Sequence, residues 1–263
     1  MSKSEVLTSP KNPLLKDVRR AALKGTLTSD GFCLAETFHL LEEALRSDLE
    51  IKIVLAADSV RSAVENHVRG LRRIRVSVIP DDLFADLSAT ESAQGVMALV
   101  KPPNWTLDHL FRGTALVPVL DGLQDPGNAG AILRTAEAFG ATGVMVLKGS
   151  VSPWNPKAVR ASAGSVFRLP VVYGLDPALA RASLRQRSIH VYTSTAHGGN
   201  APHQADLTQR CALVVGSEGR GVSEDFRDGA QALQIRTAGV ESLSVSAAAA
   251  VLLYEAHRQR LHS

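Results

Sequence analysis

Short apolar segments alternate with amphipathic segments through the second half of the chain. The apolar segments are typical of strands buried on both faces of a parallel sheet, and we predict them at Ala115–Leu120, Gly143–Leu147, Pro170–Tyr173, His190–Ser194, Ala212–Val215 and Ala232–Ile235. Between them, apolar positions recur at helical spacing, which predicts helices at Ala129–Phe139, Pro177–Arg187 and Ser242–Arg260. The alternation indicates an α/β fold with helices on both faces of the sheet.

The first hundred residues alternate in the same way on a smaller scale. From about Gly31 the pattern predicts, in order, a helix, a strand, a helix, a strand, a helix and a strand, at Phe38–Ser47, Ile51–Ala57, Arg61–Leu71, Arg75–Pro80, Asp81–Ala89 and Gly95–Val100. The two prolines of "KPPNW" then indicate a linker. We therefore predict two α/β domains, residues 1–104 and 113–263, with the boundary between Lys101 and Gly113.

Composition narrows the class of protein. Hydrophobic residues make up 45% of the 263 positions and charged residues 21%, which is typical of a folded globular protein. No apolar run is long enough to cross a bilayer, and the first twenty residues lack the apolar core of a signal peptide. Cys33 and Cys211 lie far apart in apolar contexts, so we interpret them as buried thiols. We expect a cytoplasmic protein with no membrane partner and no metal.

The net charge is only +3, but basic residues cluster. One cluster lies within residues 3–24 and a second within residues 148–187, which includes Lys157, Arg160 and Arg168; a third is Arg69, Arg72, Arg73 and Arg75. Each cluster alone is typical of solvated surface. Several together favour a polyanionic partner, without distinguishing RNA, DNA and a phosphorylated small molecule.

The stretch "LDGLQDPGNAGAILRTAEAFGATGVMVL" runs from a strand through a turn into a helix. We interpret Pro126 and Gly127 as the turn, Asn128 as the N-cap and Gly140 as the stop. The helix would bury one stripe, made of Ala129, Ile132, Leu133, Ala136 and Phe139. That stripe places Arg134 on the opposite face, near Glu137. Spacing alone favours a capped helix with a solvated arginine.

Glycines also follow the strand in "LVVGSEGRGVSEDF", where Gly216 and Glu218 come directly after the apolar run. Glycines at this place let a ligand approach the backbone at the carboxyl end of a strand. Their order is G-x-x-G-x-G rather than the dinucleotide fingerprint, which disfavours a nicotinamide enzyme; a purely structural turn stays an alternative. A third stretch, "VESLSVSAAAAVLLYE", begins its helix with small residues that leave room, Ser244, Ser246 and Ala247.

These three stretches together resemble the three motifs of the SpoU (TrmH-like) family of RNA ribose 2′-O-methyltransferases, in the SPOUT superfamily. The motifs are "DPGNAGAILRTAEAFG", "VVGSEGRGVSED" and "VESLSVSAAAAVLLYE", with a subsidiary match in "KAVRASAGSVFRLPV". The N-terminal "VLTSPKNPLLKDVRR" and "SAQGVMALV" resemble the L30e-like substrate-binding domain that often precedes the catalytic one. The resemblance covers nearly the whole chain.

The resemblance implies a fold, a cofactor and partners that periodicity does not reveal. The C-terminal domain would carry a parallel sheet and a deep trefoil knot, a feature nearly absent from other proteins. The methyl donor would be S-adenosyl-L-methionine, cradled by backbone groups of Gly216, Ile235 and Leu243, with Ser244 beside it. The partners would be RNA and a second copy of the chain, because the family places the active site near a homodimer interface.

The resemblance also implies catalytic residues. Asn128 and Arg134 match the motif-one asparagine and arginine to which the family assigns catalytic roles. Because a guanidinium rarely loses its proton, we expect Arg134 to orient the adjacent phosphate and stabilise developing negative charge rather than act as a general base. Glu218 would orient Arg134 or Asn128, or line the pocket.

Motif three departs from the family pattern at one catalytic position. The family usually has asparagine within "SLNVS", and this chain has Ser244 in "SLSVS". Serine offers one hydroxyl where asparagine offers an amide donor and a carbonyl acceptor. The motif-three isoleucine is also followed by Arg236 and Thr237 where the family often has Pro-Met. These changes bear on cofactor affinity and on the target nucleotide more than on the fold, and our hypothesis is an active enzyme.

Three functions remain open from the sequence. The leading one is S-adenosyl-L-methionine-dependent methylation of a ribose 2′-hydroxyl in structured RNA, with ribosomal RNA, in particular 23S rRNA, the expected substrate and transfer RNA the second. The alternative is an RNA-binding protein that retains the SPOUT fold with weak or no catalysis because of Ser244. The third is an α/β enzyme acting on a phosphorylated metabolite, which the basic N-terminal residues disfavour.

Overall fold

A computed structural model of the protein describes residues 5–70, 74–88, 90 and 93–261. The chain divides into two compact units, Met1–Pro103 with Trp154–Phe167, and Asn104–Pro153 with Arg168–Ser263. Among the described helices, none combines the length and the apolar composition that spanning a membrane requires.

The N-terminal unit is a mixed sheet with helices. Its strands are β1 (Glu5–Val6), β2 (Cys33–Glu36), β3 (Ile51–Ala57), β4 (Val76–Ile79) and β5 (Val96–Val100), in the order β1-β4-β3-β5-β2. Strands β1, β4 and β3 pair in parallel, whereas β5 runs antiparallel to β3 and β2. Its helices before the linker are α1 (Pro13–Lys24), α2 (Phe38–Arg46), α3 (Arg61–His67) and α4 (Asp81–Leu87).

Apolar faces of these helices and strands form the core of the N-terminal unit, where Leu34, Leu55 and Leu99 lose all or nearly all of their solvent exposure. The predicted elements of this unit are confirmed where they can be compared, with ends shifted by a few residues. The predicted ends at Leu71 and Ala89 lie outside the described residues, as do Lys3, Arg72 and Arg73. Helix α1 and strand β2 were not predicted from the sequence.

The C-terminal unit is built on a six-stranded sheet in which every pair is parallel. Its strands are β6 (Leu116–Asp121), β7 (Val144–Leu147), β8 (Val171–Leu175), β9 (His190–Thr195), β10 (Cys211–Gly216) and β11 (Gln231–Gln234), in the order β11-β9-β10-β6-β7-β8. The parallel sheet predicted from the apolar runs is therefore confirmed. All residues of β6, β7 and β10 are buried, which explains why those runs lack polar alternation.

The remaining helices cover this sheet or lie in its connections. They are α5 (Leu107–Leu110), α6 (Pro126–Ala138), α7 (Pro156–Ala161), α8 (Ser165–Arg168), α9 (Pro177–Gln186), α10 (Glu224–Arg227) and α11 (Val245–Arg260). Helix α11 begins at Val245 with Ser244 as its N-cap, so the prediction of a helix from Ser242 is wrong by three residues. Phe139 is only half-buried, which corrects its placement on the buried stripe of α6.

Helix α7 belongs to the N-terminal unit, although the sequence assigned its residues to the second domain. It packs against β2, where Glu36 is only 2% exposed. The Glu36 carboxylate contacts the Ser88 hydroxyl and lies 3.8 Å from the guanidinium of Arg160. Part of the second basic cluster is therefore engaged within the protein: Arg160 faces a buried carboxylate, and Arg187 pairs with Asp108 at the surface.

Candidate active site

The turn between β6 and α6 is organised by two aspartates. Asp121 ends β6, and its Oδ2 accepts a hydrogen bond from the backbone N–H of Ser223 at 2.7 Å. Asp125 is the N-cap of α6, and its Oδ1 accepts from the backbone N–H of Asn128 at 2.6 Å. The prediction that Asn128 caps this helix is wrong: Asn128 lies inside the first turn, and its side chain is free for other contacts.

The Asn128 side chain joins the three motifs. Its Nδ2 donates to Glu218 Oε1 at 2.9 Å, and its Oδ1 accepts from the hydroxyl of Ser246 at 2.7 Å. Glu218 lies in the loop after β10, and Ser246 lies in the first turn of α11. Strands β6 and β10 are direct neighbours in the sheet, so the loops at their carboxyl ends meet. Three segments far apart in sequence thereby converge on one amide.

Ser244 reaches this cluster indirectly. Its Oγ accepts from the backbone N–H of Ala247 at 3.3 Å, which caps α11, and lies 3.4 Å from Ser246 Oγ. Among the described contacts, Ser244 makes none with Asn128. Ser246 therefore makes the direct contact with motif one.

A cavity of about 540 Å³ opens beside this cluster. It is formed by the ends of β9, β10 and β11 and by the residues that lead into α11. Three of the predicted cofactor-binding residues, Gly216, Ile235 and Leu243, line it together with Glu218. Ser244 is the fourth predicted residue and is absent from the described lining, which continues from Leu243 to Val245. The size and mixed polarity of the cavity suit a small polar molecule with an apolar portion.

Gly216 lines the cavity, and a glycine is required there because another part of the backbone approaches closely. A Cβ built on Gly216 would lie 2.0 Å from the carbonyl carbon of Gly221, because the loop folds back so that Ser217 and Gly221 form an isolated β-bridge. Gly221 itself has a φ of +66°. The glycines of motif two therefore permit a tight loop, and the backbone of this loop forms part of the cavity wall.

Arg134 lies on the exposed face of α6, as predicted from the buried stripe. In the part of the chain that the structure describes, its guanidinium has no hydrogen-bond or ion-pair partner. Glu218 contacts Asn128 and lines the cavity, which are two of the roles expected for it. It makes no described contact with Arg134, so the third expected role has no geometric basis. Glu137 is instead engaged by Arg168 at 2.7 Å.

Three features of the site were not predicted from the sequence: Asp125 as the cap, Ser246 as a partner of Asn128, and the end of β9 as a cavity wall formed by Thr193, Ser194, Thr195 and Ala196. Pro126 at the first helical position was a usable signal for Asp125, because proline is favoured directly after an N-cap. No local signal marks the other two, since both depend on the order of strands in the sheet.

The two cysteines lie in the cores of their units. Burial raises the pKa of the Cys33 thiol to about 12 and that of Cys211 to about 11. Within the described residues, no group of three or more histidine, cysteine, aspartate or glutamate side chains could hold a metal ion.

Two family models match the chain. The SpoU rRNA Methylase family model matches residues 115–254, more than half of the sequence. The chain belongs to the SpoU rRNA Methylase family. A second model, the MRM3-like substrate binding domain, matches residues 12–98, so the expected substrate-binding domain at the N-terminus is confirmed. The SpoU match includes Asn128, Arg134, Glu218 and Ser246.

One relative and two solved structures are similar to this SpoU protein over almost their whole length. The 23S rRNA (guanosine(2553)-2′-O)-methyltransferase of Bacillus subtilis is 31% identical, covering 94% of this chain and 97% of the relative. The solved structure of the SpoU methyltransferase AviRb from Streptomyces viridochromogenes, in complex with the cofactor AdoMet, has a TM-score of 0.86 at 28% identity and covers 95% of this chain and 99% of that chain. The solved structure of an RNA 2′-O ribose methyltransferase has a TM-score of 0.82 at 30% identity, and the match covers 97% of this chain and 99% of that chain.

Proposed function

We propose that this SpoU protein transfers a methyl group from S-adenosyl-L-methionine to a ribose 2′-hydroxyl of ribosomal RNA. The observation that carries the proposal is the convergence of the three motifs on Asn128, at the edge of a cavity lined by the predicted cofactor residues. The activity of the Bacillus subtilis relative, methylation of 23S rRNA at a guanosine 2′-oxygen, agrees with it.

The cavity fits the proposed methyl donor. Backbone groups of Gly216, Ile235 and Leu243 would cradle the donor. The absence of a side chain at Gly216 lets the backbone of Gly221 pack against it and close the loop that bounds the cavity. When bound, S-adenosyl-L-methionine supplies an electrophilic methyl group. Ser244 would act here through the start of α11, because its hydroxyl caps that helix.

Asn128 and Arg134 would act on the acceptor RNA. Methyl transfer requires the 2′-oxygen to lie in line with the methyl group, and alignment supplies much of the acceleration. Asn128 would hold an oxygen of the ribose or of the neighbouring phosphate with its amide. The guanidinium of Arg134, which is unpaired among the described residues, would bind a phosphate and stabilise the negative charge that develops on the 2′-oxygen as its proton passes to solvent. The donor would leave as the neutral thioether S-adenosyl-L-homocysteine. Glu218 would orient Asn128.

Ribosomal RNA is the proposed RNA partner, with transfer RNA second. An rRNA substrate would place the enzyme in the cytoplasm, the location expected from its sequence. RNA contacts through lysine and arginine should weaken steeply with added salt. The model match at residues 12–98 assigns the N-terminal unit to substrate binding.

A homodimer is the proposed assembly. Helix α11 exposes Val251 (40%) and Tyr254 (54%), and Tyr254 packs its ring edge against Phe139 of α6 at 5.6 Å between centroids. Together these side chains form an apolar surface suited to a second copy of the chain. Sedimentation should give a dimer, and Tyr254→Glu should give a monomer. The trefoil knot implied by the family resemblance also stays a prediction.

Two measurements test the proposed function. Titration calorimetry with S-adenosyl-L-methionine should give micromolar binding, about −8 kcal/mol. Incubation of the protein with unmodified rRNA and radiolabelled donor should give one 2′-O-methylated nucleotide, and Arg134→Ala should give none. A folded protein that binds rRNA but not the donor would instead support the non-catalytic alternative. The observation that favours this alternative is Ser244, which stands where the family usually has asparagine.

A further inference from the structure

The amide of Asn128 is held from both sides by groups of different chemistry. Its Nδ2 lies 2.9 Å from Glu218 Oε1, and its Oδ1 lies 2.7 Å from Ser246 Oγ. The backbone N–H of Asn128 is separately engaged by Asp125. Asn128 is half-buried, so its side chain can still meet a ligand.

The carboxylate of Glu218 fixes the direction of these hydrogen bonds. An ionised carboxylate only accepts, so the amide nitrogen, and not the amide oxygen, must face Glu218. The oxygen then faces Ser246, and the single hydroxyl hydrogen of Ser246 must be donated to it. Because that hydrogen is used, Ser244 must be the donor in its 3.4 Å contact with Ser246. The chain of donors runs from Ser244 through Ser246 and Asn128 to Glu218.

This direction leaves one hydrogen of the Asn128 amide unused. Nδ2 carries two hydrogens, Glu218 accepts one, and no other described residue accepts the second. The neutral side chain of Asn128 therefore presents a donor at the edge of the cavity. An RNA oxygen, either the ribose 2′-oxygen or a phosphate oxygen, is an acceptor of the matching kind.

We propose that Ser246 is the positioning residue for Asn128: its hydroxyl fixes the amide so that the free Nδ2 hydrogen meets the acceptor RNA. This inference rests on the proposed function. Ser246 is suited to the task because it lies in the first turn of α11, a helix that is anchored by the buried side chains of Val245 and Ala249. A contact made from a packed helix holds its partner more rigidly than one made from a loop.

Nuclear magnetic resonance of the Asn128 side-chain amide tests the contact directly. In protein labelled with ¹⁵N-asparagine, the Asn128 amide pair is assigned by its loss in Asn128→Ala. Ser246→Ala should shift and broaden this pair, and Ser246→Thr should restore it because threonine retains the hydroxyl. Thr135→Ala is the matched control, since it removes a hydroxyl of α6 that donates to the backbone carbonyl of Ala131 and makes no described contact with Asn128, so the pair should stay near its wild-type position. An unchanged pair in Ser246→Ala would overturn the proposal.

Kinetics then test the consequence for transfer. Ser246→Ala should lower kcat by about tenfold to 100-fold, the range expected when a reacting group is misplaced, with the Kd of S-adenosyl-L-methionine within about twofold of wild type. Ser246→Thr should recover most of the rate. A loss of donor affinity at unchanged kcat, or a loss that threonine does not rescue, would show a merely structural role. Absence of transfer by the wild-type protein would overturn the proposed function, whereas the resonance measurement would still decide whether Ser246 holds Asn128.

Discussion

The amide nitrogen of Asn128 lies 2.9 Å from the carboxylate of Glu218, although 90 positions separate the two residues in the chain. Asn128 follows β6 and Glu218 follows β10, and the two strands pair along their whole length, from Leu116 opposite Cys211 to Asp121 opposite Gly216. The contact is therefore a product of the sheet order, and it connects two sequence motifs.

Glu218 should be replaceable by glutamine but not by alanine. The amide oxygen of a glutamine can accept from Asn128 Nδ2, so we expect Glu218→Gln to keep kcat/KM within about fivefold of wild type. Glu218→Ala removes the acceptor and should lower kcat/KM by about tenfold to 100-fold, which is about 1.4–2.7 kcal/mol of transition-state stabilisation. Steady-state methyl transfer to rRNA measures both. Equal losses in the two variants would mean that the negative charge itself is needed, contrary to an orienting role.

Arg134→Ala should abolish catalysis without affecting the fold. The side chain is exposed, so we expect the free energy of unfolding to change by no more than about 0.5 kcal/mol. Transfer should fall by about 100-fold or more, the usual cost of removing a group that stabilises developing charge. Urea unfolding and the transfer assay measure the two effects.

Arg185 provides the matched control for Arg134, because it is another exposed arginine on a helix, α9, that does not line the cavity. Arg185→Ala should leave both transfer and stability near wild type. Unfolding of Arg134→Ala, or an equal loss of transfer in both variants, would contradict the assignment of Arg134 to the reaction.

Gly216→Ala should damage both the cavity and the fold, because the added Cβ would meet the backbone of Gly221 at 2.0 Å. Relief of this overlap requires the loop to move, and we expect a loss of about 1–3 kcal/mol in the free energy of unfolding, with donor binding too weak to detect by calorimetry. Gly219→Ala is the control from the same loop, since its Cβ would meet nothing within 4 Å. Donor binding by Gly216→Ala equal to that of Gly219→Ala would exclude this loop from the cofactor site.

Both cysteines should be unreactive in the folded protein. Burial raises the pKa of Cys33 to about 12 and that of Cys211 to about 11. Raised values mean that the reactive thiolate is scarce at pH 8 and becomes abundant only above pH 11. Titration with a thiol reagent at pH 8 should therefore find neither cysteine in native protein and both in urea. Rapid labelling of native protein would contradict the burial of these side chains.

The buried strands were predictable because their signal is local. Strand β10 was predicted at Ala212–Val215 and spans Cys211–Gly216, since a strand covered on both faces is simply an apolar run. The exposed position of Arg134 followed from helical periodicity in the same way. Where two local signals competed, the prediction failed: Asp125 and Asn128 both belong to residue types that cap helices, and Asp125 is the cap.

The contacts that define the site could not be predicted from local sequence. Ser246 reaches Asn128 across 118 positions, and nothing in "SVSAAAA" indicates which serine faces the site and which caps the helix. Only the sheet order and the entry of α11 place Ser246 against motif one. The packing of α7 on β2 is of the same kind, because it joins residues on opposite sides of the linker.

That packing of α7 sets an order of events for the newly synthesised chain. The strands of the N-terminal unit all precede residue 104, but the helix that covers β2 at Glu36 is made only when synthesis reaches Pro156–Ala161. By then β6, α6 and β7 have already been synthesised. The first unit therefore cannot complete its packing until the segment Asn104–Pro153 of the second unit has been made, and a fragment ending at residue 104 would leave the carboxylate of Glu36 without the arginine that faces it.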